Sequence, residues 1–279
     1  MSETTLTAEA YATGLLNKDL PTEVSRLRLL EQTYDPGTFA LLEKLDIDPS
    51  WQCLELGAGA GSVAYWLADR VPYGGVVAAD LDPRFIDADH SPQLSVRRMD
   101  LNEEDFAPGS FDLVHARAVF MHLPRREEVL QRAVSWLRPG GRLVLEDVYF
   151  LPAEDSPYPE WRQAQRAWLT ALAAQGIDLA WARRTPSRFA AAGLESVGVA
   201  VTPGGLGIDA VQDELLRIRL LQSGHSLVDA GLLTEAQIDR ARTLVAHVPA
   251  PDVSTFLYSS WGRRPTADRA VGPGPRDIA

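Results

Sequence analysis

Cys53-Leu54-Glu55-Leu56-Gly57-Ala58-Gly59-Ala60-Gly61-Ser62 passes from a short apolar run, through an acid, into a loop with glycine at every second position. The stretch reads as a buried strand that breaks into a glycine loop and re-emerges as a helix. Alternate glycines remove Cβ atoms where a ligand must approach the backbone. They also leave the amides at the helix start open to polar ligand groups. A dinucleotide fingerprint wants Gly-x-Gly-x-x-Gly, and Ser62 stands where its third glycine belongs. A P-loop would end in Gly-Lys-Ser/Thr, and no lysine stands there. Glycine turns between strand and helix are common, so the weight of this loop rests on its surroundings.

Outward from the loop, the pattern predicts strands over 51–56, 75–80, 94–100, 111–117 and 141–149. Helical spacing falls between them at 62–71 and 125–137, with a short helix or turn over 83–89. Such alternation implies right-handed crossovers and a parallel sheet covered on both faces. Upstream, residues 8–46 read as helices broken at Asp35-Pro36-Gly37. Leu137-Arg138-Pro139-Gly140-Gly141 reads as a helix end turning into a strand. After Tyr149 the grammar changes. Helices are expected over 158–175, over 185–192 (Thr185 as cap, Pro186 at the first position) and within 209–248, where Thr234 and Gln237 form a capping box. Strands are expected over 194–202 and 255–261. The predicted fold is therefore α/β, a Rossmann-like doubly wound sheet, mostly parallel with an antiparallel last strand. N-terminal helices (1–50) precede a ligand-binding domain (51–264) with helical lid insertions at 150–192 and 204–250, and a flexible tail (265–279) follows.

The 279 residues are 46% apolar with a net charge of −11, which suits a globular protein with a sizeable core. The missing basic stripe argues against a nucleic-acid partner. A single cysteine, Cys53, inside an apolar strand fits a cytoplasmic location and a buried small hydrophobe. The N-terminus has neither a basic nor an apolar signal segment, and no apolar run approaches spanning length. The N-terminal helices leave room for a homo-oligomer. Their pattern does not require one.

In an open parallel sheet, ligands bind beyond the carboxyl ends of the strands. The second strand ends in Asp80, 19 positions after Gly61, where an acid can take both hydroxyls of a ribose. The third ends in Asp100-Leu101, an acid for an adenine amine and an apolar side chain for its ring. Either acid alone could equally be a turn former.

Taken together, Leu54-Glu55-Leu56-Gly57-Ala58-Gly59-Ala60-Gly61, Asp80-Leu81-Asp82, Asp100-Leu101, Phe111-Asp112-Leu113-Val114 and Leu137-Arg138-Pro139-Gly140-Gly141 resemble the class I S-adenosylmethionine-dependent methyltransferases. The likeness is to the small-molecule type, similar to ubiquinone/menaquinone-pathway and actinobacterial natural-product enzymes, and covers about residues 51–149. It implies S-adenosyl-L-methionine as cofactor, held by residues in stated roles. Gly57, Ala58 and Gly59 would bend around the methionine moiety. Asp80 would hold the ribose, with Leu81 against the adenine. Asp100 and Leu101 would meet the adenine amine and ring. The Arg117 carbonyl would face the ammonium group, and Glu55 would orient loop amides. Tyr11, with Glu23, Arg26 and Leu27 downstream, would fold over the cofactor.

Methyl transfer from a sulfonium needs no protonation of its leaving group, so orientation can supply much of the rate. A base matters only where the acceptor loses a proton. His122 is the catalytic candidate, just after the fourth strand, although His-Leu-Pro also reads as a structural turn. Glu146 and Tyr149 are lesser candidates, His115 reads as a packed strand residue, and His225 as lid or surface. No metal site is expected. The small-molecule acceptor should lie under the insertions, whose Trp161, Trp168, Trp181, Leu215, Ile218, Leu221 and Leu227 either line it or pack the insertion onto the sheet. Two other readings stay open: the same fold and cofactor used for cyclisation or rearrangement, and a non-enzymatic ligand-binding module. A nicotinamide dehydrogenase is disfavoured by the glycine spacing.

Overall fold

Short aliphatic and β-branched runs bounded by Gly, Pro and Asp make the strands, and amphipathic stretches between them make the helices. The computed structural model describes residues 19–266. Its strands are β1 (Gln52–Leu56), β2 (Gly75–Asp80), β3 (Leu94–Arg98), β4 (Phe111–Arg117), β5 (Leu137–Phe150), β6 (Glu195–Leu206) and β7 (Asp252–Arg263). They form one sheet in the order β3-β2-β1-β4-β5-β7-β6. The pairings among β1–β5 are parallel, and β7 runs antiparallel to both β5 and β6. Chain order reverses between β1 and β4, which opens a crevice beyond their carboxyl ends.

The helices are α1 (Glu23–Glu43), α2 (Ser62–Ala68), α3 (Arg126–Trp136), α4 (Pro159–Ala174), α5 (Trp181–Ala191), α6 (Ala210–Asp229) and α7 (Glu235–Ala246). Side chains alternate across the sheet. Cys53, Val76, Ala78, Leu113 and Val144 pack with Leu42 of α1 and Leu67 of α2 on one face. Leu54, Leu56, Val114, Leu143 and Leu145 pack with Phe120, Trp136 and Trp181 on the other. Each fully buried aliphatic of this kind contributes roughly 1.5–3 kcal/mol. Cys53 is buried among them; burial first, then Asp112 and Glu55, push its thiol up to about 12, so it is chemically inert. Among the described residues no helix is long and apolar enough to cross a membrane.

Two prolines behave otherwise than their sequence context predicts. The break at Asp35-Pro36-Gly37 does not occur, because α1 runs straight through Pro36. Tertiary anchors stand on both sides of it. Arg117 and the Ser62 hydroxyl donate to Asp35 at 2.7 and 2.9 Å, and the Thr38 hydroxyl donates to Glu146 at 2.5 Å. Hydrogen bonds to charged groups, at ~1.5–3 kcal/mol each, offset the ~3 kcal/mol of an internal proline. Likewise α5 begins at Trp181, four residues before the expected Thr185 cap, and holds Pro186 inside it. Trp181 is fully buried and stacked on Phe120, and the Thr185 hydroxyl donates back to the Trp181 carbonyl instead of capping. Leu137 already pairs with Phe111, so Pro139-Gly140-Gly141 forms a bulge inside β5 and not a loop before it. A Cβ on Gly141 would stand 2.9 Å from the Arg138 carbonyl oxygen, which explains the glycine.

Candidate functional site

The crevice at the β1/β4 reversal holds a cavity of about 220 Å³. Glu55, Gly57, Ala58, Gly59, Asp80, Leu81, Asp100, Leu101, Arg117 and His122 all line it. Tyr11 lies outside the described residues. Four side chains without a sequence signal of their own complete the walls: Phe85 and Met99 beside Leu81 and Leu101, Val119 under the loop, and Tyr34 on α1. Five carboxylates (Glu23, Glu31, Glu55, Asp80, Asp100) and two guanidiniums line the cavity; Glu23 pairs with Arg26, Glu31 with Arg28, Glu55 with His115, and Arg117 with Asp35. An acidic cavity of this kind favours a cationic ligand with hydroxyls and amines and disfavours phosphates.

The glycine loop is held from within the protein. The Gly57 and Ala58 amides donate to the Ala79 carbonyl, Gly59 to Asp80 at 2.9 Å, and Ser62 to Glu31 at 3.1 Å. The Ser62 amide at the helix start is thus engaged, because α1 supplies the Glu31 carboxylate. Asp80 also accepts from the Asp82 amide at 2.8 Å, and Asp100 accepts from the Asn102 amide at 2.8 Å. Both acids therefore shape turns and line the cavity at once. A carboxylate offers about four lone-pair sites, so Asp100 keeps capacity for a ligand beside its turn contact. Gly57 has a φ of +62°, and a Cβ there would lie 2.3 Å from a Val119 methyl, so only glycine fits.

Glu55 does not orient loop amides. Its carboxylate meets His115 Nδ1 at 2.5 Å, and His115 Nε2 lies 3.2 Å from Glu146. Glu55 and His115 are direct cross-strand neighbours, as are Glu146 and Ser259, whose hydroxyl also donates to Glu146. All three titratable groups are buried. Burial opposes charge on His115, yet the attractions of Glu55 and Glu146 exceed it and hold its pKa up at about 9. Glu146 stays below the usual carboxylate range: burial works against it, and the His115 hydrogen bond and charge prevail. Glu146 therefore does not face a ligand. Nor does Tyr149, which lies between Tyr258 and Arg183. His225 is exposed and 3.3 Å from Asp229. Among the described residues no group of His, Cys, Asp and Glu is arranged to hold a metal ion.

His122 sits at the end of a 3-10 turn, Phe120–His122, where the first cavity meets a second of about 140 Å³. The two share Arg26, Leu30, Tyr34, Ala118 and His122. Burial first, then the charges of Arg26 and Arg126, push the His122 pKa down to about 4, so the ring is neutral at pH 7. Val148, Phe150, Trp168, Leu215 and Leu216 give the second cavity much of its apolar lining, with Thr33, Gln212, Arg219, Gln222, Ser254 and Thr255 among its polar points. Of the expected insertion residues, Trp168 and Leu215 reach it, Trp161, Trp181, Ile218 and Leu227 are core, and Leu221 is exposed.

Residues 54–145 match the family model described as a methyltransferase domain. Over 115 residues the chain is 37% identical to methyltransferase str3 of Strobilurus tenacellus, covering 40% of each chain. Over 119 residues it is 29% identical to methyltransferase GfsG of Streptomyces halstedii, covering 40% of this chain and 42% of that one. The chain thus spans about 40% of the length of these curated relatives. Among solved structures it superposes on a Haemonchus contortus phosphoethanolamine N-methyltransferase 2 bound to phosphomonomethylethanolamine and S-adenosylhomocysteine. That match has a TM-score of 0.58 at 14% identity and covers 87% of this chain and 58% of that one. The [4+2]-cyclase SpnF superposes with a TM-score of 0.55 at 16% identity, covering 84% and 83%. At these identities the superpositions establish the fold.

Proposed function

We propose that this chain, whose residues 54–145 form a methyltransferase domain, methylates a small and mostly apolar metabolite, of secondary-metabolite or quinone-like kind, from S-adenosylmethionine. The observation that carries this reading is the pair of cavities with a common wall. An acidic one suits the cofactor and an apolar one suits the acceptor, and they meet at His122 and Ala118. We assign the boundaries 1–50, 51–264 and 265–279 to cap, catalytic domain and tail, with lids at 150–192 and 204–250. The acidic balance and the single buried thiol favour a cytoplasmic enzyme without a nucleic-acid partner.

The residues present fit the cofactor. Asp80 would hold the ribose hydroxyls, and Asp100 the adenine amine, with Leu81, Met99 and Leu101 around the ring. Gly57, Ala58 and Gly59 would curve past the methionine portion near the Arg117 carbonyl, while Tyr11, outside the described residues, would close over it. When bound, S-adenosylmethionine supplies an electrophilic methyl group on a sulfonium. The chain's own contribution is chiefly alignment, since well-oriented reactants reach effective molarities of roughly 10⁵–10⁸ M. Neutral His122 can accept a hydrogen bond from an acceptor hydroxyl or amine and fix its lone pair toward the first cavity. Its low basicity makes it an orienting group more than a strong base.

Calorimetric titration with S-adenosylhomocysteine tests the cofactor assignment. Asp80→Ala should weaken binding by about 1.5–3 kcal/mol, the range for a hydrogen bond to a charged group. Unchanged affinity in that variant would show that the ribose is held elsewhere. Turnover that persists with S-adenosylhomocysteine in place of the methyl donor, giving a product without an added methyl, would overturn methyl transfer itself.

A further inference from the structure

Arg219 of α6 lines the second cavity with its guanidinium carbon 4.3 Å from the centroid of Trp168 and 5.2 Å from that of Trp161. Among the described residues no carboxylate pairs with it. Its neighbours are differently placed: Arg26 on the same wall is bound to Glu23 at 2.7 Å, and Arg217, two residues away, to Glu214 at 2.5 Å. Burial pulls Arg219 down to about 10; the opposing charge of Tyr34 is present only where that phenol ionises, and burial raises the phenol above its ordinary value. A guanidinium at that value is still charged at pH 7. Tyr34 is 8% exposed, lines the same cavity, and its hydroxyl has no hydrogen bond among the described residues. The amides nearby are occupied. Gln212 accepts from Gly205 and donates to Asp209, and Gln222 donates to Thr22.

Arg219 is half-buried, and a partly desolvated cation without a counter-ion is stabilised when an anion joins it. Two tryptophan faces hold the Arg219 fork in a fixed plane, which suits a planar, bidentate partner. One guanidinium balances one negative charge, so a carboxylate fits and a dianionic phosphate would remain half uncompensated. Leu30, Met121, Val148, Phe150 and Leu215 supply apolar surface on the wall, with Thr33, Ser254 and Thr255 as further neutral polar groups. We infer that the molecule taken by the second cavity is a small apolar carboxylic acid, and that Arg219 and the Tyr34 hydroxyl hold its carboxylate. This rests on reading that cavity as the acceptor site. It makes Arg219 the specificity-determining residue and places the methylated atom at the end of the molecule remote from the carboxylate, toward His122.

Three matched pairs of probes test it: benzoate and benzamide, phenylacetate and phenylacetamide, hexanoate and hexanamide. Each is titrated at pH 7.5 into the full chain saturated with S-adenosylhomocysteine. In at least one pair the acid should bind tenfold or more tightly than its amide. Arg219→Met should abolish that preference while keeping S-adenosylhomocysteine affinity within about twofold, and Tyr34→Phe should reduce it. Arg219→Met should also keep or raise Tm, since it removes a half-buried cation that no described carboxylate pairs. Equal binding of acids and amides in all three pairs would overturn the inference. So would a preference that survives Arg219→Met, or a fall in Tm without any acid preference in the parent protein, which would mean that the guanidinium serves the fold. Failure of S-adenosylhomocysteine itself to bind the parent protein would instead strike the cofactor reading.

Discussion

A histidine ring enclosed by two glutamates is the most heavily charged point in the sheet, and it titrates against burial. His115 keeps its proton because Glu55 and Glu146 lie on its two nitrogens, and the Thr38 and Ser259 hydroxyls absorb part of the remaining negative charge on Glu146. The consequence for stability has a definite sign. A group whose folded pKa, about 9, exceeds an unfolded value near 6.5 stabilises the protein fully below pH 6.5, and that stability is lost as pH rises through 9. Asp147, the next residue on β5, adds to the trend. Burial raises its pKa to about 8 against the Met121 and Val119 amides, so it too favours the fold at lower pH. The urea midpoint should therefore fall between pH 6.5 and 9, and a decline should remain in Asp147→Asn, where only His115 carries it. A flat profile in that variant would mean that His115 is not held as a cation.

At the scale of elements, the turn that carries His122 is built by the insertion as much as by the sheet. Phe120 stacks on Trp181 with centroids 6.3 Å apart, and the Asp178 amide donates to the Met121 carbonyl at 2.9 Å. Asp178 in turn accepts from Arg126 at 3.1 Å and from Arg184. Trp181→Ala removes a fully buried indole from this joint and should cost about 3–5 kcal/mol. It should also lower kcat more than it weakens S-adenosylhomocysteine binding, because the glycine loop and Asp80 lie on the other side of the turn. Equal losses in both would show that the turn is not set by α5. This joint was invisible in the sequence. The strands were not: the spans 75–80 and 111–117 read from the sequence coincide with β2 and β4, because short mostly apolar runs, after Gly74 in the first and after Gly109-Ser110 in the second, leave little choice. Pro36 and Pro186 misled, since a local breaker says nothing about Arg117 or Phe120 arriving from elsewhere in the chain to hold the helix together. Ten of the eleven candidate residues line one cavity because they sit at strand ends, which topology gathers. Arg219 carried no such signal. Its meaning comes from the absence of a described carboxylate beside it, and no spacing rule records that.

Over the whole molecule, α1 is the helix that lines both cavities. It packs against α2, the helix that follows the glycine loop, and against α6, the helix that carries Arg219. From one side it contributes Glu31 to the Ser62 amide, and from the other Gln222 of α6 reaches its Thr22 cap. Arg26, Leu30 and Tyr34 belong to both cavities. A ligand in either space thus buries the same helix face, and the ordering of α1 by the first ligand need not be repeated for the second. Reciprocity follows: whatever factor S-adenosylhomocysteine gains from an occupied second cavity, the second ligand gains from S-adenosylhomocysteine. Amide hydrogen exchange over 23–43 should slow when S-adenosylhomocysteine binds, and slow again when a second-cavity ligand is added. Exchange in β2 and β4, already buried in the sheet, should change much less. If α1 exchanges at the same rate with and without S-adenosylhomocysteine, the helix is a fixed wall and the two sites fill independently. If only the second ligand slows it, α1 belongs to the acceptor side alone, and the Glu31 contact to the loop does not transmit binding.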